Sequence, residues 1–420
     1  MAVVSLIVFA LCIALLIWDK LPMATAAILG CAAMVVVGVC DFNTAFGSFA
    51  SNTIIFLIGG MVISKSMSQT GLSAAAGRLI VRALGKSEKG LVIGTYMAAA
   101  LISAFLANST AMVLFLPVIM GISAADPRVK ARNITMPIAI GCATGGASTL
   151  VGSTQQMVAQ GLLEEIGART FRVFDFTLVG GTLVLLGLVY CLTIGLKRGE
   201  KIWGDREDEI DYAADTDTHE YDKTKMVVMA CLFAMMVVLY ITEWFPVAIT
   251  STLTALLCII TGCLTQEQAI KAINWNVIGR MGAFLGLAAA LKAGGGLDLI
   301  ATGIMNLAGS TPNPFVLFAV FVLLTHVITE FVSHATAVLI VLPIVLSIAP
   351  ELGLNTYAFA LGVTIAAGVG LSCPLGSNQM SLSMCVGYKF NDFFRYSIFL
   401  DILEYLVVIV MVPAIYGLTM

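Results

Sequence analysis

Apolar residues run along this chain in long stretches that few charges interrupt. The stretches "VVSLIVFALCIALLIW" and "MVVMACLFAMMVVLYI" each approach the roughly 20 residues that span a bilayer as a helix. Within the first half of the chain, apolar stretches lie near residues 2–18, 22–40, 54–64, 90–106, 110–123, 133–160 and 176–195. The pattern predicts an all-α polytopic membrane protein embedded in the lipid bilayer.

The apolar pattern of the first half recurs in the second half at a nearly constant distance. The offset between matched residues stays between 224 (376 − 152) and 226 (343 − 117). Unrelated apolar segments would not keep one register over most of the chain, so we interpret the sequence as an internal duplication. Residues 1–195 form the first repeat, residues 226–420 form the second repeat, and the hydrophilic residues 196–225 form a linker. The matched pairs include Pro22 with Pro246, Gly38 with Gly262, Pro117 with Pro343 and Gly152 with Gly376.

One apolar segment of each repeat carries a polar cluster near its centre. In the first repeat we interpret residues 90–123 as a re-entrant hairpin, because both halves are short and the polar cluster lies at the bend. The matching hairpin of the second repeat is 315–349. Five transmembrane helices then remain in each repeat, and since five is odd the second repeat is inverted relative to the first. Two full crossings in place of the hairpin would leave the same orientation.

The distribution of basic residues agrees with this inverted repeat. Only 11% of the residues are charged, against roughly 25% in soluble domains. On the predicted topology, all of the 22 lysines and arginines except Arg169, Arg172 and Lys292 fall on one side of the membrane. The positive-inside rule makes that side cytoplasmic. We therefore predict a multi-pass protein of the cell membrane with a cytoplasmic linker and both termini outside.

Several classes of function lack their sequence signals. The ten cysteines form no CxxC pair and the three histidines form no HExxH motif, so neither a metalloenzyme nor thiol redox chemistry is expected. The sequence has no P-loop for nucleotide hydrolysis and no charged ring typical of an ion channel. We expect a secondary transporter rather than an enzyme, with no organic cofactor and no nucleic-acid partner.

The two polar clusters resemble each other. The segments "LANSTAMVLFLP" and "VSHATAVLIVLP" align on their prolines. Burying a polar group without a partner costs roughly 2–7 kcal/mol, so we expect a polar cluster at membrane depth to have a function. Two hairpins that enter from opposite faces would bring their tips together near the midplane. The tip residues are Asn108, Ser109 and Thr110 in the first hairpin, and Ser333, His334 and Thr336 in the second.

A helix interrupted by glycine and hydroxyl residues follows each hairpin. The interruptions read "GGASTLVGSTQQ" and "VGLSCPLGSNQ". The N-terminus of a half-helix presents unpaired N–H groups that suit an anion, while freed carbonyls and hydroxyls suit Na⁺. The alternative is that these small residues serve ordinary helix packing. Their paired occurrence inside an inverted repeat favours a binding site.

The paired tips, the interruptions that follow them and the five-plus-five plan resemble the divalent anion/sodium symporter family. This is the group of dicarboxylate and citrate transporters within the ion-transporter superfamily. The resemblance covers nearly the whole chain and is strongest at the two tips. It implies a secondary active transporter of small anions, di- or tricarboxylates, coupled to Na⁺. It also implies a homodimer in which a transport domain moves like an elevator against a scaffold domain.

The resemblance further implies which residues bind each solute. The first Na⁺ site would use Ser103, Asn108 and the carbonyl of Gly152, and the second would use Thr329, His334 and the carbonyl of Gly376. The anion would contact Asn108, Ser109, Thr110, Ser153, Ser333, His334, Thr336 and Ser377.

One position departs from the family in a way that changes the chemistry. His334 stands where the family carries asparagine, and Glu330 lies four residues before it. An ionisable pair at membrane depth is functional by default, so Glu330 and His334 are candidates for proton coupling. Proton-coupled transport, anion exchange and Na⁺/H⁺ antiport therefore remain alternatives to Na⁺ symport. We interpret His326, on the same hairpin arm, as a packing residue.

Overall fold

The structure is a computed structural model, and it describes residues 1–17, 23–72, 75, 87–115, 130–204, 221–242, 244–296, 299 and 313–419. Within these ranges the chain is helical, apart from turns and an isolated antiparallel bridge between Leu354 and Thr419. The first half contains α1 (Ala2–Ile17), α2 (Met23–Val36), α3 (Phe42–Phe46), α4 (Asn52–Gln69), α5 (Glu88–Ser103), α6 (108–115), α7 (Ala131–Gly146), α8 (Thr154–Glu165) and α9 (Thr177–Trp203). The second half contains α10 (Lys223–Thr242), α11 (Val247–Ile260), α12 (Gln266–Ala272), α13 (Trp275–Ala293), α14 (Pro314–Phe331), α15 (His334–Glu351), α16 (Thr356–Gly368), α17 (Asn378–Ser383) and α18 (Phe390–Tyr416).

Many of the helices are apolar enough to lie in a membrane. Among the described residues, 6 helical spans are long and apolar enough to cross one, judged by length and composition. Their outward faces carry large apolar side chains, such as Val238 and Val410, which are 55% and 59% exposed. Lipid tails suit such faces, whereas water does not. The predicted all-α fold with several membrane helices is confirmed. The six spans are Phe42–Gln69, Thr177–Trp203, Lys223–Thr242, Pro314–Phe331, His334–Glu351 and Phe390–Tyr416.

The helices of the second half follow the same order as those of the first half. Two pairs of helix ends illustrate the repetition, because each closes on a glycine with left-handed backbone geometry. Gly38 and Gly262 have φ angles of +76° and +73°, and Gly71 and Gly295 have φ angles of +77° and +76°. Only glycine adopts this conformation without strain. The inverted orientation of the repeats remains a prediction.

The helices form two groups. In the first group, α2 packs against α13 and α4 packs against α11, so that each half of the chain supplies one partner of each pair. The second group contains the hairpins and interrupted helices, with α5 against α7, and both α14 and α15 against α16. Helix α8 connects the groups, because it packs against α4 and α13 as well as against α15.

The second hairpin is described completely. Helices α14 and α15 have 18 residues each, and Val332 and Ser333 connect them. Asn313 caps the first arm, because its side chain accepts the N–H of Phe315 at 2.9 Å. Each arm is long enough to cross a membrane by length and composition. The re-entrant form therefore remains a prediction.

Two of the predicted segments are described only in part. In the first hairpin, α5 and α6 are described, whereas residues 116–129, which include the end of the predicted segment 90–123, lie outside the described residues. Residues 205–220 of the linker also lie outside them.

Candidate functional site

The first hairpin tip is tied to the helix that follows it by a small polar network. Ser103 ends α5, and its Oγ lies 2.8 Å from Asn108 Oδ1 and 2.8 Å from the carbonyl oxygen of Cys142 on α7. Ser153 Oγ, at the start of α8, lies 3.1 Å from the same Asn108 oxygen. When the amide is turned over, its nitrogen donates to the Gly152 carbonyl at 3.2 Å. Asn108 thus joins the tip to both ends of the interruption.

The interruption between α7 and α8 has its own hydrogen bonds. The Thr149 hydroxyl donates to the carbonyl of Ala104 on the hairpin and accepts the N–H of Gly152 at 3.3 Å. Gln156 Nε2 donates to the carbonyl of Gly146 at 3.1 Å. The backbone groups of Gly146 and Gly152 are thus paired with the side chains of Gln156 and Thr149, and Thr149 also joins the interruption to the hairpin.

Glycines allow the hairpin and the interruption to touch. A Cβ built on Gly146 would lie 1.9 Å from Asn108 Oδ1, and one on Gly152 would lie 2.6 Å from the carbonyl oxygen of Ser103. Real Cβ contacts are never that short, so a side chain at either position would push the tip away. These glycines set the spacing of the first network.

The second tip repeats this network with different side chains. Thr329 Oγ1, near the end of α14, lies 2.8 Å from His334 Nδ1 and 2.7 Å from the carbonyl oxygen of Ala367 on α16. A hydroxyl has one hydrogen, so when Thr329 donates to Ala367 it must accept from His334 Nδ1–H. His334 Nε2 then carries the lone pair, and this atom is buried without a hydrogen-bond partner. Thr329 and His334 thus take the places of Ser103 and Asn108.

The same close approach occurs at the second interruption. A Cβ on Gly376 would lie 1.8 Å from the Thr329 carbonyl oxygen, and one on Gly370 would lie 2.6 Å from Thr329 Cγ2. Ser377 follows directly, and its hydroxyl is buried without a partner. Glycine at both positions lets the interrupted helix lie against the backbone of the hairpin.

Two of the predicted tip residues act as a helix cap. The Ser333 hydroxyl accepts the N–H of Thr336 at 3.3 Å and lies 2.7 Å from its hydroxyl oxygen. This is the usual N-cap arrangement, and it begins α15. Ser333 and Thr336 are therefore engaged in holding the second tip.

A cavity of about 470 Å³ lies between α4 and the first tip. Among the residues predicted from sequence, Ser109, Thr110, Gly152 and Ser153 line it. Helix α4 contributes Ser64, Lys65 and Ser68, and the second half contributes Asn274 and Asn378. This arrangement gives the cavity hydroxyls, amides and an ammonium group, a set that can recognise an anion.

Lys65 is a functional candidate that the sequence reasoning missed. The sequence predicts that Lys65 lies on the cytoplasmic side, and the structure shows in addition that this exposed residue lines the cavity. The signal that would have found it is a lysine within the apolar span Phe42–Gln69.

The remaining predicted residues occupy two positions relative to the cavity. Asn108 lies behind its wall, connected through Ser153. Thr329, Ser333, His334, Thr336, Gly376 and Ser377 surround the second tip and are not among the residues that line the described cavity. The two interruptions still meet, because a Cβ on Gly368 would lie 2.5 Å from Gln155 Nε2 and 3.5 Å from Ala147 Cβ.

Glu330 faces the second interruption. Its Oε1 accepts the N–H of Ser372 at 3.4 Å, whereas His334 bonds to Thr329. The sequence reasoning missed two further carboxylates on α18, Asp401 and Glu404, which are buried. Their signal was available, since both interrupt the apolar run "FLDILEYLVVIV".

Comparison with known proteins agrees with these features. The sequence profile of a family described as citrate transporters matches residues 13–366 and 237–419. An uncharacterised transporter of Synechocystis is 30% identical over 202 residues, which are 48% of this chain and 32% of that protein. The sodium-dependent dicarboxylate transporter SdcS of Staphylococcus saprophyticus is 22% identical over 399 residues, which cover 86% of this chain and 76% of SdcS. The chain thus matches about a third of the Synechocystis protein and most of SdcS.

A solved structure shares the fold. The YdaH transporter of Alcanivorax borkumensis superposes with a TM-score of 0.63, at 15% sequence identity, over 90% of this chain and 88% of that one. At this identity the likeness concerns the fold alone. The family match spans both hairpins and both interruptions, and the relatives are transporters rather than enzymes. This chain is therefore a multi-pass membrane protein and belongs to the citrate transporter family.

Proposed function

We propose that this protein carries a small di- or tricarboxylate across the membrane together with Na⁺. The observation that supports it best is the repeated network in which Ser103 with Asn108, and Thr329 with His334, tie a hairpin tip to an interrupted helix. The cavity beside the first tip adds a place for the anion. SdcS, which is named a sodium-dependent dicarboxylate transporter, supports the same assignment.

The first tip suits Na⁺. Ser103 Oγ, Asn108 Oδ1 and the Gly152 carbonyl are uncharged oxygens that meet around one amide. Na⁺ is a hard cation that such oxygens bind, and it would hold the amide with its oxygen toward the ion. At the second tip, His334 Nε2 takes the place of an amide oxygen. A neutral nitrogen is a poorer ligand for Na⁺, so we expect the second site to bind Na⁺ more weakly.

The cavity suits a carboxylate. Helix α8 has 12 residues and starts after Ser153, so its first N–H groups point toward the cavity with partial positive charge. The hydroxyls of Ser109, Thr110 and Ser153 add donors. Lys65, on the opposite wall, supplies a full positive charge for a second carboxylate.

The grouping of helices supports an elevator mechanism. We propose that the group with the hairpins is the transport domain and that the group with α2, α4, α11 and α13 is the scaffold. The cavity lies between them, with α4 on one wall and the first tip on the other. Two inverted repeats and a homodimer through the scaffold complete the proposal.

Proton-coupled transport, or anion exchange, is the second candidate. The half-buried carboxylate Glu330 and the buried carboxylate Asp401 beside the second interruption favour it, because they form no ion pair within the described residues. Under this alternative a pH gradient, or an opposing anion gradient, would drive transport without Na⁺.

Uptake into proteoliposomes tests the proposal. Labelled succinate, citrate, sulfate and aspartate are offered with Na⁺ and pH gradients imposed separately. We expect a Na⁺ gradient to drive uptake of succinate or citrate. Uptake that follows only the pH gradient would favour proton coupling, and counterflow alone would favour exchange. A folded protein that moves none of the carboxylates under any gradient would contradict the proposal.

The variant Asn108→Ala tests the site itself. Loss of the amide removes the shared ligand of the tip, so we expect Na⁺-driven uptake to fall at least tenfold, or about 1.4 kcal/mol. Asn43→Ala is the matched control, because Asn43 is exposed on α3. Wild-type uptake by a folded Asn108→Ala variant would remove Asn108 from the site.

A further inference from the structure

A group of ionisable side chains lies beside the second interruption. His326 and Glu330 are one turn apart on α14, and Asp401 comes from α18. One ligand atom from each of the three lies within 4.8 Å of the other two. His326 and Asp401 are only 7% and 3% exposed. The fold thus brings together a buried imidazole, a buried carboxylate and the half-buried carboxylate of Glu330.

The carboxylates are held by the backbone of the interruption. Asp401 accepts the N–H of Leu371 at 3.2 Å and the hydroxyl of Ser372. Glu330 Oε1 accepts the N–H of Ser372 at 3.4 Å. These bonds fix the positions of the carboxylates, as outer-shell donors do around metal ligands.

Several polar atoms of the group have no hydrogen-bond partner. Glu330 Oε2 and both ring nitrogens of His326 are buried without a hydrogen-bond partner. None of the carboxylates forms an ion pair within the part of the chain that is described. One turn beyond Asp401, Glu404 is fully buried, and neither of its carboxylate oxygens has a partner. Such atoms are costly in a low-dielectric interior unless a ligand satisfies them.

We propose that His326, Glu330 and Asp401 bind a divalent transition-metal ion such as Mn²⁺ or Zn²⁺. Two carboxylates balance its charge, and an imidazole nitrogen suits this class of metal far better than Na⁺. Bonds of about 2.1 Å at the tetrahedral angle place the ligand atoms about 3.4 Å apart, so atoms that now lie within 4.8 Å of one another would move closer by at most about 1.4 Å. The site is separate from the sodium ligands of both tips.

A bound ion would also stiffen the second interruption. Its ligands Glu330 and Asp401 hold the backbone of Leu371 and Ser372, and this segment continues to Gly376. The metal would thereby fix the backbone that faces the second tip.

Metal titration of the purified full-length protein tests the proposal. After treatment with a chelator, the wild-type protein is titrated with Mn²⁺. We expect about one high-affinity Mn²⁺ per chain, and at least tenfold weaker binding by Asp401→Asn and by His326→Gln. Glu267→Gln is the control, since Glu267 is an exposed carboxylate that pairs with Lys271 outside the group, and we expect this variant to bind Mn²⁺ as the wild type does.

Electron spin echo spectroscopy keeps the test decisive if the variants misfold. Wild-type protein with bound Mn²⁺ should show nitrogen coupling from an imidazole, and His219→Gln should keep it. The absence of stoichiometric Mn²⁺ binding would overturn the proposal and would mean that the carboxylates bind only protons. Bound Mn²⁺ without nitrogen coupling, or undiminished binding by folded His326→Gln, would overturn it as well.

Discussion

Asn108 and His334 lie at equivalent positions of the two repeats and make equivalent contacts, but their side chains differ in chemistry. Each pairs with a hydroxyl residue at the end of the preceding arm, and each of those hydroxyls reaches a carbonyl of the following helix. Asn108 offers an amide that can turn, whereas His334 presents a ring nitrogen whose role is set by Thr329. The two tips are therefore alike in geometry and different in the polar group that each presents.

Lys65 should determine how well the protein binds a dianion. We expect Lys65→Met to raise the KM for succinate roughly 10- to 100-fold, since a hydrogen bond to a charged group contributes about 1.5–3 kcal/mol. Initial rates of uptake at varied succinate concentration measure it. Lys271→Met is the control, because Lys271 is exposed and pairs with Glu267 at 2.7 Å on the surface. An unchanged KM in Lys65→Met would exclude Lys65 from anion binding.

The sequence predicted some of these residues and not others, for a physical reason. The matched tips and interruptions are local patterns, so Asn108, Ser153 and their counterparts could be proposed from spacing and family resemblance. Lys65 and Asp401 each leave a local signal, a charged residue inside an apolar span, but the residues that surround them come from distant segments and are known only from the packing. From the sequence we interpret His326 as a packing residue, because no local pattern shows that Asp401, 75 residues (401 − 326) further along the chain, lies near it.

At the scale of elements, the hairpins and interrupted helices behave as joined pairs. Thr149 bonds to Ala104 across the first pair, and Gly376 lies against Thr329 across the second. The hairpin also bonds to the helix before each interruption, since Ser103 donates to the Cys142 carbonyl and Thr329 donates to the Ala367 carbonyl. We infer that a hairpin and its interrupted helix move together, since sliding would break these bonds at membrane depth.

Gly376→Ala tests this contact between elements. The added Cβ would lie 1.8 Å from the Thr329 carbonyl oxygen, so the backbone must separate. Overpacking of this kind costs about 1–3 kcal/mol, and we expect a lower thermal unfolding temperature together with loss of uptake. Gly181→Ala is the control, because nothing lies within 4 Å of a Cβ there. Equal stability and uptake in both variants would show that the contact is looser than described.

At the scale of the whole molecule, the orientation of the repeats decides how the protein sits in the membrane. The structure gives the repeated order of helices, and the lysine and arginine distribution gives the predicted sides. The segment after α8, with Arg169 and Arg172, is predicted outside, whereas the linker beside α10 is predicted in the cytoplasm.

Cysteine labelling of whole cells tests the predicted topology. We expect Thr170→Cys to react with a membrane-impermeant maleimide and Asp222→Cys to react only after the cells are permeabilised. The parent protein provides the background, because Cys231 is exposed. Reaction of both variants in intact cells would contradict the inverted repeat.

The packing of site helices across the two repeats has a consequence for biosynthesis. Helix α8 of the first repeat lies against α15, and α17 of the second repeat lies against α7. The first repeat therefore leaves the ribosome before the second-repeat neighbours of α7 and α8 have been made. Its polar interruption must stay in the translocon or in lipid without these contacts until the second repeat is made. The nascent chain therefore reaches its mature architecture only late in synthesis.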